Sequence, residues 1–325
     1  MTASPFVSTG ALPGPEVVQA LVDDAHRRHL QISDGATSTV YPALERADAH
    51  LFGVCVVGVT GNTYAAGDAD VGFTIMSVAK PFVFALVCDV LGPQDGRRRL
   101  GVNATGLPFN SLEAVERSPD GRTNPMVNPG AIATTALVPG ETPESRWRSI
   151  SSTLSRFAGR ELELDEEVYA SASATNHRNR EIVRLLERAG AIEGDPAVAL
   201  DLYTRQSSLA VTARDLATMG ATLADGGVNP VTGERVVSAA TCRHVLAVMT
   251  TAGLYETSGD WLYDIGLPGK SGIGGGIVTV SPGKGGLGTF SPPLDAAGNS
   301  VRGRLVARHL SRALGLDLFV SEPAG

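Results

Sequence analysis

Residues 73–81 read FTIMSVAKP and contain the pattern S-x-x-K, in which Ser77 and Lys80 lie three positions apart. The apolar run that follows, ended by Gly92-Pro93, predicts a helix beginning near Ser77. Pro81 is tolerated only near the start of a helix, which places Ser77 in its first turn. Because residues i and i+3 share a helix face, the Lys80 amine can reach the Ser77 hydroxyl. The pattern therefore indicates a serine nucleophile with a lysine as its base.

Lysine is rare in this chain, since only Lys80, Lys270 and Lys284 occur among the 27 basic residues. Lysine differs from arginine in having an amine that can lose its proton when it is buried. Lys270 opens Lys270-Ser271-Gly272, a K-[ST]-G before a predicted strand. A desolvated Lys80 beside a second cation such as Lys270 is expected to have a lowered pKa and to take the Ser77 proton. In the competing interpretation Ser77 is a helix cap and Lys80 is a solvated cation.

Composition argues against several classes of function. The net charge is −7 and no basic cluster overrides it, so no nucleic-acid partner is expected. No apolar run is long enough to cross a bilayer, and residues 1–16 lack the features of a secretory signal, so no membrane association is expected. The six histidines show no zinc spacing, and we expect no metal and no other cofactor.

The three cysteines, Cys55, Cys88 and Cys242, are widely spaced and lie in apolar stretches. An odd, sparse set without a C-x-x-C pattern indicates reduced, buried thiols. We therefore expect a cytoplasmic location.

The order of the predicted elements indicates an α+β fold. After a disordered leader at residues 1–14, a helix is predicted from Pro15, followed by a β-hairpin that turns at Thr60-Gly61-Asn62. The middle of the chain has mostly helical apolar spacing. Strands and Gly-rich turns return from Ile265, and an amphipathic helix follows them.

This order predicts a single domain over residues 15–325. Its sheet part is expected from about 15–76 and 250–325, and its helical part from about 77–249. The chemistry is expected at the seam between the two parts.

The combination of S-x-x-K and K-[ST]-G resembles the serine β-lactamase and penicillin-binding-protein superfamily. Further motifs, from about Tyr41 to Leu316, narrow the resemblance to the β-lactamase-like glutaminases. The matching segments are FTIMSVAKP, GLPFNS, NPMVNPGAIA, the T-x-x-R-N of Thr175 to Asn179, LYTRQSSLAVT, LADGGVNPVTGERV, AGLYETSGDWLYDIGLPGKSGIGGGI and SPPLDAAGNSVRG. The resemblance implies a β-lactamase/transpeptidase-like α+β fold, with an antiparallel sheet flanked by helices and an inserted helical subdomain. It also implies a homodimer or homotetramer that acts on a small-molecule amide, glutamine or a glutamine-like γ-carboxamide.

The resemblance implies a role for each matching residue at the reacting end of the pocket. Ser77 would be acylated by the side-chain carboxamide of glutamine with release of ammonia, and Lys80 would carry the proton. Tyr41 and Tyr255 match tyrosines that line this end, where Tyr255 could relay a proton to the leaving amine. Ile273 matches a position whose backbone N–H forms the oxyanion hole with that of Ser77.

The binding end is assigned in the same way. Asn128, Asn179 and Tyr203 match the groups that hold the α-carboxylate end of glutamine, and Lys270 is assigned to the same pocket. The glycine run 272–276 precedes a strand and not a helix, so it indicates a tight turn and not a phosphate cradle.

Two positions depart from the glutaminase pattern. The family usually has Gln immediately before the nucleophilic serine, where this chain has Met76, and Glu seven residues before Asn179, where it has Ala172. In the family both side chains attend the α-ammonium of glutamine. Breaking a buried ion pair costs about 3–5 kcal/mol, so a site without its acid should discriminate poorly in favour of a free amino acid.

Three hypotheses remain open at this point. The chain is a glutaminase in which a nearby acid such as Glu166 or Glu167 swings in, or it hydrolyses a γ-carboxamide whose α-amino group is absent or acylated, or it binds ligands without catalysis. The retention of Ser77, Lys80, Tyr255 and Lys270 argues against the third. Between the first two we favour glutaminase.

Overall fold

The computed structural model describes residues 10–118 and 120–320. The first third forms α1 (Pro15–His29), α2 (Pro42–Glu45), β1 (Gly53–Gly58), β2 (Thr63–Gly67), β3 (Phe73–Thr74), a 3₁₀ turn (Met76–Ala79), α3 (Lys80–Leu91) and α4 (Pro93–Leu100). The middle forms α5 (Glu113–Glu116), α6 (Asn128–Ala136), α7 (Pro143–Ala158), α8 (Glu166–Thr175), α9 (His177–Arg188), α10 (Pro196–Ser207), β4 (Ala210–Val211), α11 (Ala213–Ala224) and α12 (Ala239–Ala252). The last part forms a 3₁₀ turn (Tyr255–Thr257), α13 (Ser258–Ile265), β5 (Gly269–Ser271), β6 (Gly276–Ser281), β7 (Gly285–Phe290) and α14 (Val301–Ala313).

Strands from the first and last parts of the chain form one antiparallel sheet in the order β2-β1-β7-β6-β5. The predicted hairpin is β1 and β2, and the predicted late strands are β5 to β7. In the register of β1, Val56 faces Tyr64 of β2 on one side and Leu287 of β7 on the other. The β1–β7 pairing joins the two sequence segments into one sheet, which confirms the predicted α+β fold with a helical insertion.

A second, two-stranded sheet was not predicted. Phe73 and Thr74 of β3 pair with Val211 and Ala210 of β4, which lies inside the segment predicted as helical. The Ile75 N–H also donates to the Leu209 carbonyl at 2.9 Å. This pairing anchors the chain immediately before Ser77.

Each face of the main sheet is covered by helices. On one face, α1 and α14 enclose a cluster that includes Val18, Phe52, Leu287 and Val306. On the other face, α11 packs through small side chains such as Ala217 and Ala221. A larger cluster around α3, in which the rings of Phe82 and Phe157 lie 5.0 Å apart, forms the core of the helical insertion. Because α3 is apolar on all sides, it is buried along most of its length.

The helix predicted near Ser77 begins three residues later than expected. Residues Met76–Ala79 form a 3₁₀ turn, and the α-helix starts at Lys80. Met76 has φ of 46°, which lies outside the α-helical range, so the chain enters through a tighter turn. Ser77 therefore lies in the turn that precedes α3 and not in α3 itself.

The glycines of β7 allow α11 to lie directly on the sheet. A Cβ on Gly286 would lie 2.3 Å from the Ala217 carbonyl oxygen, and one on Gly288 would lie 2.1 Å from that of Ala213. These are backbone atoms of the packed helix, so neither can move aside cheaply. The absence of side chains at these positions sets the distance between helix and sheet.

We expect Gly286→Ala to lower the free energy of unfolding by about 1–3 kcal/mol, since the added methyl group must push α11 away from β7. Denaturant titration of the full chain measures this change. Gly259→Ala is the matched control, because Gly259 lies in α13 and a Cβ added there would have no neighbouring atom within 4 Å. That change should leave stability unchanged or raise it by about 0.5–1 kcal/mol through helix propensity. Equal stability of the two variants would contradict the packing argument.

Several further expectations concern the rest of the chain. Residues 1–9 of the predicted disordered leader lie outside the described residues, whereas Leu12 packs against the cluster under α1 and α14.

All three cysteines are buried and unpaired, and burial raises the pKa of each thiol to about 12. Across residues 10–118 and 120–320 no single helix has the length and apolarity to cross a membrane; Met76–Leu91 with Pro93–Leu100, bent by 118°, meets these criteria only as a pair.

Candidate active site

A cavity of about 270 Å³ lies between the turn after β5, the 3₁₀ turn before α3, and helices α6, α8, α9 and α10. This is the seam between the sheet and the helical insertion. Eight residues selected from the sequence line it: Tyr41, Met76, Ser77, Asn128, Ala172, Asn179, Tyr203 and Ile273. The other three, Lys80, Tyr255 and Lys270, are buried beside it. The structure thus brings the selected residues together around one cavity.

Backbone strain is concentrated beside Ser77. Within the described chain, Met76 and Tyr255 are the two non-glycine residues with positive φ, at 46° and 60°. Such conformations cost on the order of 1–3 kcal/mol each and persist only where the surrounding structure enforces them. Met76 immediately precedes Ser77 in sequence. Tyr255 lies near the Ser77 hydroxyl, which partly opposes the rise in the Tyr255 pKa that burial causes. Both strained residues therefore belong to this site.

The turn after β5 approaches Ser77 closely because it consists of glycine on both sides of Ile273. A Cβ on Gly272 would lie 3.2 Å from the Ser77 nitrogen and 2.9 Å from the Ile75 carbonyl oxygen. The Gly272 N–H donates to the Gly276 carbonyl at 2.9 Å, so the glycine run forms the tight turn that was predicted. The Ile273 N–H has no acceptor among the described residues. The N–H of Ser77 lies in the first turn of its helix, where backbone donors lack a partner within the helix.

Lys80 is anchored to α6 by its amine. Its Nζ donates to Asn128 Oδ1 at 2.7 Å and to the Met126 carbonyl at 3.3 Å. Asn128 also accepts from the Tyr203 hydroxyl at 3.1 Å and donates through Nδ2 to Asn179 Oδ1 at 2.8 Å. Within the described residues Lys80 makes no hydrogen bond to Ser77, in contrast to the contact expected from their spacing. The Lys80 amine is held instead by Asn128 Oδ1 and the Met126 carbonyl, which lie at the start of α6.

The second buried lysine, Lys270 of β5, lies against the ring of Tyr255. Its Nζ donates to the Ser271 carbonyl at 2.7 Å and stands 4.0 Å from the centroid of the Tyr255 ring. The Tyr255 hydroxyl donates to the same carbonyl at 3.1 Å. The lysine, the tyrosine and β5 are thus fixed relative to one another.

Both lysines are fully buried, and neither forms an ion pair with a described acidic residue. Burial lowers the pKa of Lys80 from 10.5 to about 7. Burial also lowers the pKa of Lys270 well below its ordinary value, and the charge of Lys80 adds to this effect. An amine with a pKa near neutrality can exchange a proton with a substrate at physiological pH.

Three tyrosines lie around the Ser77 hydroxyl and the adjacent asparagines: Tyr203 and Tyr255 are buried, and Tyr41 is half-buried. Burial raises the pKa of Tyr41 and of Tyr255 to about 12 and that of Tyr203 well above its usual value. The nearby Ser77 hydroxyl opposes this rise in pKa at Tyr203 and Tyr255, and the nearby Asn179 amide opposes it at Tyr41. All three phenols therefore keep their protons at neutral pH and can donate hydrogen bonds.

The two departures from the glutaminase pattern meet at the same cavity. Met76 and Ala172 both line it, and Met76 packs in an apolar cluster with Leu44, Val168 and Ile273. Ala172 lies on α8, which is capped by Asp165 and spans Glu166–Thr175. Neither Glu166 nor Glu167 lines the cavity: both are exposed at the start of α8, and Glu167 pairs with Arg46.

Several lining residues were not selected from the sequence. Each lies in or beside a segment that matches a family motif, but the resemblance assigned it no role. These residues are Val40, Phe109, Asn110, Thr175, Asn176, His177, Arg178, Thr204, Ser207 and Ser208. The Phe109 ring lies 4.8 Å from the Tyr255 ring, centroid to centroid, at a tilt of 39°, and Arg178 pairs with Glu181 at 3.1 Å. Phe109 lies in the GLPFNS motif and Arg178 in the T-x-x-R-N motif, so these motifs could have indicated both residues as part of the site. In residues 10–118 and 120–320 no group of three or more His, Cys, Asp or Glu side chains is placed to hold a metal ion.

Comparison with known proteins agrees with this geometry. The family model described as Glutaminase matches residues 35–319. "Glutaminase 2" of Yersinia pestis is 66% identical over 318 residues, which cover 98% of this chain and 94% of the relative. A solved structure described as a probable glutaminase, ybaS, superposes with a TM-score of 0.93 at 42% identity, covering 95% of this chain and all of the other. Mglu, solved in its L-glutamate binding form, superposes with a TM-score of 0.88 at 37% identity over 94% of this chain and 70% of its own.

The fold of these neighbours is the serine β-lactamase-like fold of glutaminases, and the topology described above is the same arrangement. Family model, sequence relatives and structural neighbours thus lead to one assignment. The chain belongs to the glutaminase family.

Proposed function

We propose that the protein hydrolyses the side-chain amide of L-glutamine to glutamate and ammonia through an acyl-enzyme on Ser77. The observation that carries this proposal is the pair of buried lysines without acidic partners beside a buried serine, with the Lys80 pKa lowered to about 7. The family assignment and the L-glutamate binding form of Mglu are consistent with it.

In the first half-reaction Ser77 Oγ attacks the carbonyl carbon of the carboxamide, and Lys80 takes the hydroxyl proton. The carbonyl oxygen becomes an oxyanion, which the N–H groups of Ser77 and Ile273 stabilise. Tyr255, protonated at neutral pH, donates a proton to the departing nitrogen, which leaves as ammonia, and the proton that Lys80 took passes to the Tyr255 phenolate. The carbon–nitrogen bond has then been replaced by an ester to Ser77.

In the second half-reaction water attacks the ester carbonyl and gives a proton to Lys80, whose amine is again neutral. The bond to Ser77 Oγ breaks, Lys80 returns the proton to the serine, and glutamate leaves. Apart from the substrate and water, the two half-reactions use only groups of the protein.

Asn128 has a positioning role in this scheme. Its Oδ1 accepts from Lys80 and Tyr203, and its Nδ2 donates to Asn179. It thereby holds the base and Tyr203 in place and leaves the Asn179 amide, which has Tyr41 beside it and not at the reacting end as the sequence suggested, to bind the substrate carboxylate.

An ammonia-release assay over glutamine, asparagine, N-acetylglutamine, 2-oxoglutaramate and glutaramate tests the proposal. We expect release from glutamine, with glutamate as the second product, and none from asparagine, whose amide lies one carbon too close to the carboxylate. Binding of glutamine without ammonia release would support the non-catalytic alternative and overturn the proposal.

We further propose a cytoplasmic location and a homodimer or homotetramer. Three buried, unpaired cysteines support the first, because such thiols persist in a reducing compartment. Light scattering on the purified chain measures the second, and a monomer across the micromolar range would contradict it.

A further inference from the structure

The charge around the cavity is one-sided. Of the eighteen residues that line it, all of them in the described chain, none is an aspartate or a glutamate. The lining residues include one guanidinium, that of Arg178, and one imidazole, that of His177. Lys80 and Lys270 lie buried behind the reacting end without acidic partners. A substrate in this cavity therefore meets cationic and neutral groups.

Three acidic side chains of α8 and α9, the helices that line the cavity, are already engaged or face solvent. Glu181 pairs with Arg178, Glu167 pairs with Arg46, and Glu166 is exposed at the start of α8. Met76 and Ala172 fill the part of the wall between the nucleophile and α8 with apolar atoms. No described side chain is placed to neutralise a cation inside the cavity.

Free glutamine carries an ammonium and a carboxylate on its α-carbon. The carboxylate can accept from the Asn179 amide and the Tyr41 hydroxyl, which line the cavity, whereas the Tyr203 hydroxyl donates to Asn128 Oδ1. The ammonium would lose water on entry and gain no counter-charge, which is unfavourable. The carboxamide and carboxylate ends of the substrate fit this cavity, whereas the ammonium does not.

We propose that the site prefers γ-carboxamides that keep the α-carboxylate but carry no ammonium on the α-carbon, over free glutamine. This preference rests on the proposed hydrolysis at Ser77 and names the substrate class of the same site. The chemistry is unchanged, since the ammonium takes no part in bond making or breaking.

The test compares kcat/KM for two amides that differ only in the ammonium, L-glutamine and glutaramate. We expect glutaramate to exceed glutamine by at least about tenfold, equivalent to about 1.4 kcal/mol. A ratio at or below one overturns the proposal. The ratio should also fall as pH rises through the pKa of the glutamine α-amino group, because glutamine then enters uncharged. Titration of Lys80 affects both substrates alike and cancels in the ratio.

Ala172→Glu supplies the missing charge from α8, and Ala172→Gln is its neutral control of the same shape. Both residues favour helices, so α8 should persist. We expect Ala172→Glu to shift the ratio towards glutamine by at least about tenfold and Ala172→Gln to leave it within about threefold. Equal shifts in the two variants would show that shape and not charge sets the preference.

A binding measurement separates failure of this inference from failure of the proposed function. If neither amide is hydrolysed, the proposed function is wrong, and calorimetry with glutarate and L-glutamate on the wild-type chain decides the selectivity alone. Tighter binding of glutarate by about tenfold or more upholds the preference for ligands without the ammonium. Equal or weaker binding of glutarate overturns it.

Discussion

Ser77→Ala is expected to reduce kcat for ammonia release by about 10⁴–10⁶-fold, the loss seen when a serine protease loses its nucleophile. In the proposed mechanism, Ser77 Oγ is the only protein atom that forms a covalent bond to the substrate. Its backbone N–H remains in the variant, so part of the oxyanion stabilisation persists and sets a residual rate. The residue is 7% exposed, and removal of its hydroxyl should change stability little. Steady-state ammonia release, with the free energy of unfolding measured in parallel, checks both expectations.

A covalent probe gives the same prediction a second readout. A diazo-ketone analogue of the preferred γ-carboxamide should label the peptide that contains Ser77 in the wild type and label nothing in Ser77→Ala. Ser207→Ala is the matched control, because the Ser207 hydroxyl also lies near the cavity but donates to the Tyr203 carbonyl at 2.8 Å. That variant should be labelled like the wild type. Label on another residue, or full turnover in Ser77→Ala, would remove the mechanism.

The sheet could be predicted from the sequence because its strands carry local signals. The hairpin around Gly61 and the glycine-rich late strands show strand patterns and turn residues that depend little on the rest of the chain. The β3–β4 pair could not be predicted, since two-residue strands have no periodicity and their partner lies over a hundred residues away. The pairing of β1 with β7 was inferred only from the order of elements.

The residues of the site could be predicted better than their contacts. The scarcity of lysine singled out Lys80 and Lys270, and both are buried beside the cavity. The acceptor of the Lys80 amine, Asn128 Oδ1, could not be inferred, because it depends on how α6 packs against α3. The 3₁₀ turn was also missed, since positive φ at a methionine has no signature in the sequence.

Lys80→Ala is expected to lower kcat/KM by about 10²–10⁴-fold, the usual effect of losing a general base. Lys80→Arg should be nearly as damaging, because a guanidinium does not give up its proton at physiological pH. The pH profile separates the base from a merely structural lysine. With the Lys80 pKa at about 7, wild-type kcat/KM should rise tenfold per pH unit below 7 and level off above it. Both variants should lack this limb, and a limb that survives in either would assign it to another group.

The same lowered pKa has a consequence for stability that can be measured without any substrate. Lys80 titrates near 7 in the folded chain and at 10.5 when unfolded, so the unfolded chain binds more protons between these values. The free energy of unfolding of the wild type should therefore rise with pH relative to Lys80→Met, by about 5 kcal/mol between pH 7 and 10.5. Below pH 7 the buried charge destabilises the wild type fully, and Lys80→Met should be the more stable protein even though Asn128 Oδ1 loses one of its two donors. Denaturant titrations of both proteins at pH 7, 8 and 9 measure the difference, which should change by about 1.4 kcal/mol per pH unit. A constant difference would mean that the amine is not held near neutrality, and Lys80 could then not act as the base for Ser77.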